Sequence, residues 1–267
     1  MEFKRVIGSR RDTRMFLPWK PVEREKIQKM LETALLSSRA VNTAWGKAVV
    51  TYRDWLTDEQ RDSLKTPIGA VEYDLAPVYI FWYFDMDASG SAVREKRWPT
   101  VASGALVDVG ALNPTHGWSR RYVNNVVLPE VLTPGISRGL QRGGNADAAL
   151  AMEAALLTAV DEGLGACLVP FVEQAAKEIL GVPDTWEPVL AILVGYPAES
   201  LEGMGQNPSP ITEETAFEGT LETPFWRDEG VLDRLRQEGM LQREAPMPWR
   251  EEEVKRLGKM LGITEEE

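Results

Sequence analysis

The sequence is short of the residues that form disulfides and most metal sites. Cys167 is its only cysteine and His116 its only histidine. An intrachain disulfide, a cysteine-rich metal site and a paired-histidine metal site are therefore excluded. The chain also lacks the roughly 18 consecutive apolar residues of a membrane span, and its N-terminus has no apolar signal core. These absences predict a soluble, cytoplasmic protein with no metal and no membrane partner.

Positive charge is in the minority as well. The 267 residues include 30 Lys and Arg against 41 Asp and Glu, which gives a net charge of -11. Because nucleic acids and anionic membranes attract basic surfaces, this balance argues against both as partners and favours small molecules or other proteins. With 43% hydrophobic residues, the chain can bury a substantial core. The expectation is one α/β domain with additions.

The first half of the chain carries clear helix and strand patterns. Apolar residues three and four apart predict an amphipathic helix over 22–36. β-branched and aromatic runs predict strands at 47–53 and 76–84, the second apolar enough to be covered on both faces. A charged segment at 56–64 is predicted to be helical. The region 85–144 has no sustained period and is interpreted as an irregular insertion.

The second half begins with a segment that is apolar almost all the way round, at 145–163. It predicts a helix buried on nearly every side, at the centre of the domain or of a dimer. A strand, a helix and a further strand are predicted at 166–171, 173–180 and 189–194. The tail, 198–267, contains two more amphipathic pieces, at 231–241 and 251–261, but no second core. We expect it to wrap the core, 1–197, or a neighbouring subunit.

A dense basic cluster precedes the first predicted helix: Arg10, Arg11 and Arg14. Guanidinium groups hold phosphate with two parallel hydrogen bonds and keep their charge, so the cluster suits a nucleotide phosphate. Taken alone, it fits a solvated surface cluster equally well. The sequence has neither a GxGxxG motif nor a Walker loop, which argues against dinucleotide or ATP binding in the usual folds.

The order of five segments resembles that of the nitroreductase-like flavoprotein family. The segments are SRRDTRMF, SSRAVNTAW, DEGLGACLVPF, EILGVP and LVGYP, and the resemblance covers roughly Val6 to Pro197 apart from the insertion. The resemblance implies an α+β, three-layer fold with a central mixed sheet flanked by helices. It also implies an intertwined homodimer that holds FMN at the subunit interface.

The resemblance also implies which residues hold the flavin. Arg10 and Arg14 match the phosphate-binding basic pair, with Arg11 as their neighbour, and Asp12 stands where many members have a serine that faces the flavin. The implied set also includes a loop that usually comes from the partner subunit, Ser37, Ser38, Arg39 and Asn42. It ends with a strand end whose backbone amides polarise the flavin ring, Leu168, Val169 and Pro170.

Two departures from the family pattern stand out. Asn42 is followed by Thr-Ala-Trp, one residue shorter than the family's Asn-x-Gln-Pro-Trp and without the glutamine. Members also carry a basic pair after the last core strand, whereas 198–225 contains no Lys or Arg, so that Arg227 is the first candidate. Within the insertion, two interpretations stay open, a packed surface excursion and a lid over an aromatic substrate formed by Trp98, Trp118, Arg120 and Tyr122.

The expected reaction is hydride transfer from NAD(P)H to flavin N5, followed by reduction of a nitroaromatic or a quinone. A second possibility comes from the RRDxR pattern, which is similar to that of the dimethylbenzimidazole synthases that consume FMN with oxygen. In such an enzyme Asp12 would be catalytic, whereas in a reductase it would form an ion pair that orders the phosphate site. A dedicated dehydrogenase on the same fold and a non-catalytic flavin-binding or scaffold protein also stay open.

Overall fold

A four-stranded antiparallel sheet lies at the centre of the computed structural model, which describes residues 2–39, 46–85, 121, 125–126, 136–207 and 212–263. Its strands are β1 (Gly46–Tyr52), β2 (Val78–Asp85), β3 (Gly165–Val169) and β4 (Trp186–Gly195), in the spatial order β1-β2-β4-β3. All three strand pairings are antiparallel. The expectation of a mixed sheet is corrected accordingly, since parallel pairing within the described ranges is confined to isolated bridges such as that between Asp12 and Ala166.

Helices flank this sheet and continue into the tail. They are α1 (Phe3–Ser9), α2 (Arg24–Leu35), α3 (Asp58–Leu64), α4 (Ala70–Leu75), α5 (Ile136–Asp161), α6 (Glu173–Leu180), α7 (Leu201–Met204), α8 (Thr212–Thr215), α9 (Glu229–Gln237) and α10 (Arg250–Leu261). None of these helices is long and apolar enough to cross a bilayer.

The alternating side chains of β2 divide the core into two halves. Val78, Ile80 and Trp82 pack with residues of α2 and α5. Tyr79, Phe81 and Tyr83 point to the opposite face and pack with Leu64 of α3, Tyr73 of α4 and Ala176 of α6. Because successive side chains of a strand point to opposite faces, a strand covered on both sides must be apolar throughout. The three-layer α+β fold and the fully covered second strand are confirmed.

The central helix α5 begins earlier than the sequence predicts. It starts at Ile136 rather than at residue 145, so the last nine residues of the predicted irregular insertion are helical. Glycine has poor helix propensity, yet α5 contains Gly144. The reason is steric, because a Cβ at position 144 would lie 2.0 Å from the ring of Phe84. The close approach of α5 to β2 therefore requires glycine.

The C-terminal tail contacts the N-terminal segment of the same chain. The Arg11 side chain donates to Gln242 Oε1 of the tail at 2.9 Å, and Leu232 of α9 and Leu257 of α10 are buried. Gly8 of α1 approaches the tail so closely that a Cβ there would lie 2.1 Å from the Gly239 carbonyl oxygen. The tail thus covers α1 and the residues that follow it.

Replacing Gly8 with alanine is expected to destabilise the protein. Alanine favours a helix over glycine by about 0.5–1 kcal/mol, but crowding against a backbone atom costs about 1–3 kcal/mol. We expect a net loss of about 1–2 kcal/mol in the free energy of unfolding, measured by urea denaturation. Gly46→Ala is the matched control, since among the described residues nothing beyond its chain neighbours lies within 4 Å of its added Cβ. A Gly8→Ala protein as stable as the Gly46→Ala protein would contradict this packing.

Candidate functional site

The candidate site is an extended segment, residues 10–16, that lies along the edge strand β3. The Thr13 amide donates to the Ala166 carbonyl at 2.9 Å, and the Ala198 amide donates to the Met15 carbonyl at 2.8 Å. A Cβ at Gly165 would lie 2.5 Å from the Thr13 hydroxyl oxygen. Glycine at the start of β3 therefore allows this close approach.

Alternation along the segment sorts its side chains into two sets. Arg11 and Thr13 are buried. Arg10, Asp12 and Arg14 keep 30%, 31% and 48% of their side-chain surface exposed. Because extended backbone directs successive side chains to opposite sides, the exposed three share one face, named here the outward face. Two arginines and one aspartate give this face an excess positive charge in an otherwise acidic chain.

Among the described residues, Arg10 makes only long contacts on the outward face. Its Nη1 lies 3.4 Å from Asp12 Oδ1, and its Nε lies 4.0 Å from Glu153 Oε1 on α5. Ion pairs this long and partly exposed contribute little to stability. The Arg10 guanidinium can therefore turn to an anionic ligand at small cost.

Arg14 is held more tightly than Arg10. Its Nη1 lies 2.6 Å from Oε1 of the buried Glu72 on α4 and 3.5 Å from Cys167 Sγ. Partial burial lowers the pKa of Arg14, but the hydrogen bond to Glu72 and the charges of nearby acidic groups outweigh it, so that this pKa is raised. Arg14 is therefore a fixed cation rather than a mobile one.

Arg11 turns away from the outward face. Its guanidinium donates to the carbonyls of Gly8 at 2.7 Å and Arg10 at 2.8 Å, and to Gln242 Oε1 in the tail at 2.9 Å. Burial, together with the charge of Arg10, lowers its pKa. The structure thus separates Arg11 from Arg10 and Arg14 and gives it the role of joining the segment to the tail.

The buried carboxylate of Glu199, which is not predicted from the sequence, binds the backbone of the extended segment. Glu199, whose side chain is 0% exposed, accepts hydrogen bonds from the backbone amides of Arg14 and Met15. Arg250 of α10 forms an ion pair with Glu199 and a second one, at 2.9 Å, with Glu253. The sequence offers little sign of this network, because Arg250 lies 51 residues from Glu199 along the chain. An acidic residue just after the last strand is the only hint.

Arg250 is the tail cation that is linked to the extended segment, through Glu199. Arg227, the first basic residue after the last strand, is exposed ahead of α9. Within the described parts of the chain, no hydrogen bond or ion pair joins Arg227 to Arg10, Asp12 or Arg14. Since two carboxylates already engage Arg250, neither residue stands free on the outward face.

The other residues implied by the resemblance lie in three places. Ser37 donates to the Ala34 carbonyl at 2.7 Å just after α2, where Ser38 is exposed and Arg39 is half-buried. At the end of β3, Leu168 and Val169 contact opposite halves of the core and Pro170 follows. Five residues lie outside the described ranges, namely Asn42 and the four candidate lid residues, Trp98, Trp118, Arg120 and Tyr122.

Cys167 is adjacent to the site, but its thiol is unreactive. Its thiol is buried, and desolvation raises its pKa to about 12, even though Arg14 acts in the opposite direction. At pH 8 a thiol with that pKa is ionised in about one molecule in ten thousand, against about one in four for an ordinary cysteine. Among the described residues, no cluster of three or more His, Cys, Asp or Glu could hold a metal ion.

We therefore expect Cys167 to resist thiol reagents while the protein is folded. At pH 8 the native protein should release almost no thionitrobenzoate from Ellman's reagent over an hour. In 6 M guanidinium, taken as roughly the strength that unfolds even hyperstable domains, one equivalent per chain should react at once. Rapid stoichiometric reaction of the native protein would show that the thiol is accessible.

Comparison with known proteins agrees with this architecture. The model of the nitroreductase family matches residues 134–196. A nitroreductase family protein from Streptococcus pneumoniae has 22% identity, a TM-score of 0.56 and coverage of 78% of this chain and 96% of that one. A Staphylococcus epidermidis protein described as an NAD(P)H:FMN oxidoreductase has 18% identity, a TM-score of 0.60 and coverage of 82% and 96%. No curated protein matches the sequence.

A third solved structure includes a flavin. It is a protein from Exiguobacterium sibiricum described as a nitroreductase in complex with FMN, with 17% identity, a TM-score of 0.60 and coverage of 79% of this chain and 94% of that one. These likenesses confirm the resemblance to the nitroreductase family and establish the nitroreductase fold of this chain.

Proposed function

We propose, from the nitroreductase fold, that this chain is an FMN-dependent oxidoreductase that takes electrons from NAD(P)H and reduces an electron-poor aromatic such as a nitroaromatic or a quinone. The observation that carries the proposal is the outward face, where Arg10, Asp12 and Arg14 line up beside β3. When bound, FMN supplies the redox-active ring, and the protein supplies binding, orientation and electrostatics. The likeness to a structure solved with FMN supports the same function.

The residues of the outward face fit a phosphate group. Phosphate needs donors that are charged and not already saturated, and Arg10 meets both conditions because its contacts with Asp12 and Glu153 are long. Arg14, fixed by Glu72, adds a second positive charge without having to move. We assign Arg10 as the main phosphate anchor and Arg14 as its flanking cation. Leu168, Val169 and Pro170 would offer backbone groups to the ring.

A homodimer would complete such a site. Lys26 and Lys29 of α2 contact Glu162 just beyond the end of α5, so the two helices run antiparallel. Leu35 and Leu36 at the end of α2 and Leu150 of α5 are exposed. Exposed leucines grouped on packed helices are typical of an interface. A partner on this side would bring its Ser37, Ser38 and Arg39 to the flavin.

Reduction of bound FMN under anaerobic conditions tests the function. Added NADH or NADPH should bleach the visible absorption of the FMN-loaded protein, and a quinone or nitroaromatic should then restore it. Bleaching that no acceptor reverses would remove the reductase assignment. Bound FMN that neither nicotinamide bleaches would favour a non-catalytic flavin-binding protein instead.

Asp12 supports a second candidate, an oxygen-dependent enzyme that consumes FMN. Its carboxylate lies between two arginines on the outward face, where it could act on a bound ring or simply order the arginines. Asp12→Ser and Asp12→Asn should both leave the FMN dissociation constant within about threefold, because the anchoring cations remain. In a reductase both variants should keep NAD(P)H-dependent turnover.

The two candidates differ in what happens to reduced FMN in oxygen. A reductase returns FMN intact, whereas an FMN-consuming synthase yields a benzimidazole product that mass spectrometry detects. Loss of that product in Asp12→Ser, with FMN binding unchanged, would identify the second candidate. Intact FMN from both the parent and the variant would eliminate it.

A further inference from the structure

A cavity lies between the extended segment, α4 and the tail helix α10. Its volume is about 480 Å³, which is within the range of small-molecule sites. Val71, Val254 and Ile263 give it apolar walls, and α10 contributes one whole side. Arg14 and Glu72 form part of the wall nearest the outward face. The cavity therefore combines an apolar surface with charged groups at one boundary.

The charges around this cavity leave a positive excess. Arg14 and Glu72 neutralise each other across 2.6 Å. Lys255 pairs with Glu251, and because both side chains are largely exposed this contact contributes little to stability. Lys259, also exposed, forms no ion pair with another residue in the described part of the chain. In a chain of net charge -11, two exposed lysines beside apolar walls are complementary to an anion with an apolar body.

We propose that this cavity binds a small amphipathic anion, a carboxylate or sulfonate carried on a body of one or two rings. The anionic group lies between Lys255 and Lys259, and the rings lie against Val71, Val254 and Ile263. This site goes beyond the proposed flavin function, because protein residues alone line the cavity. The tail helix α10 then lines one side of the ligand site, and its lysines make the site prefer anions.

A matched pair of fluorescent probes tests the proposal on the full chain. Anilinonaphthalene sulfonate has an apolar body of two aromatic ring systems, a naphthalene and a phenyl, with a sulfonate, and N-phenylnaphthylamine has the same body without the charge. The sulfonate probe should bind saturably at one per chain and more tightly than the neutral probe. Lys259→Met should weaken the sulfonate probe about fivefold and leave the neutral probe unchanged. Lys259→Gln repeats the test with a polar side chain.

Arg256→Met is the matched control, since Arg256 is on the same helix, is exposed and is not part of the cavity wall. It should bind both probes as the parent does. Near-ultraviolet circular dichroism must match among the proteins, because the sulfonate probe also reports loosened packing. Three results would overturn the proposal: no saturable binding, equal weakening by Arg256→Met, or complete displacement by FMN, which would make the cavity part of the flavin site. Retained binding at saturating FMN supports it.

Discussion

Replacing Arg250 with methionine is expected to lower the free energy of unfolding by about 3 kcal/mol, because it leaves buried carboxylates without their cation. Glu199 is fully buried and Glu253 nearly so, and Arg250 is their shared partner. Glu199 keeps the backbone donors of Arg14 and Met15, so the cost is at the lower end of the range for breaking a buried ion pair. Chemical denaturation measures the change.

Two further variants separate the loss of the ion pair from a general effect of losing an arginine. Arg250→Met combined with Glu199→Gln should recover part of the stability, since no unpaired charge then stays at position 199. Arg236→Met, which breaks an exposed pair with Asp233, should cost less than about 0.5 kcal/mol. If Arg250→Met and Arg236→Met had equal effects, the buried network would not stabilise the fold.

The second large effect concerns the cofactor. Arg10→Met is expected to weaken FMN binding about 10- to 100-fold, because a hydrogen bond to a charged group contributes about 1.5–3 kcal/mol. Stability should change little, since the contacts of Arg10 with Asp12 and Glu153 are long. Fluorescence titration with FMN gives the dissociation constant, and urea denaturation gives the stability.

Riboflavin provides the control for this prediction, because it has the same ring system without the phosphate. Its affinity should be the same in Arg10→Met as in the parent. Arg256→Met should bind FMN normally, since Arg256 is exposed on α10, away from the outward face. If FMN and riboflavin weakened together in Arg10→Met, Arg10 would not be a phosphate anchor.

The sequence predicts the elements whose pattern is long enough to read. The amphipathic period of α2 and the apolar run of β2 are visible because burial repeats over many residues. The short helices α1 and α4 are not predicted, although α3, which is as short as α1, is. Fewer than two turns carry little periodicity, and tertiary contacts stabilise α1 and α4. Those contacts are Gly8 against Gly239 and Glu72 against Arg14.

The candidate site divides in the same way. Arg10, Asp12 and Arg14 are spaced by two, so extended backbone alone places them on one face. Residues far apart along the chain are different, because no local pattern pairs Arg14 with Glu72 or Glu199 with Arg250. The tail's contribution to the site follows from tertiary structure alone.

The central claim is that the outward face binds FMN through its phosphate. Titrating the flavin-free protein with FMN and, separately, with riboflavin tests it most directly, since the two ligands differ only in that group. We expect saturable binding of FMN that is at least about tenfold tighter than that of riboflavin. Equal affinities, or no binding of FMN, would contradict it.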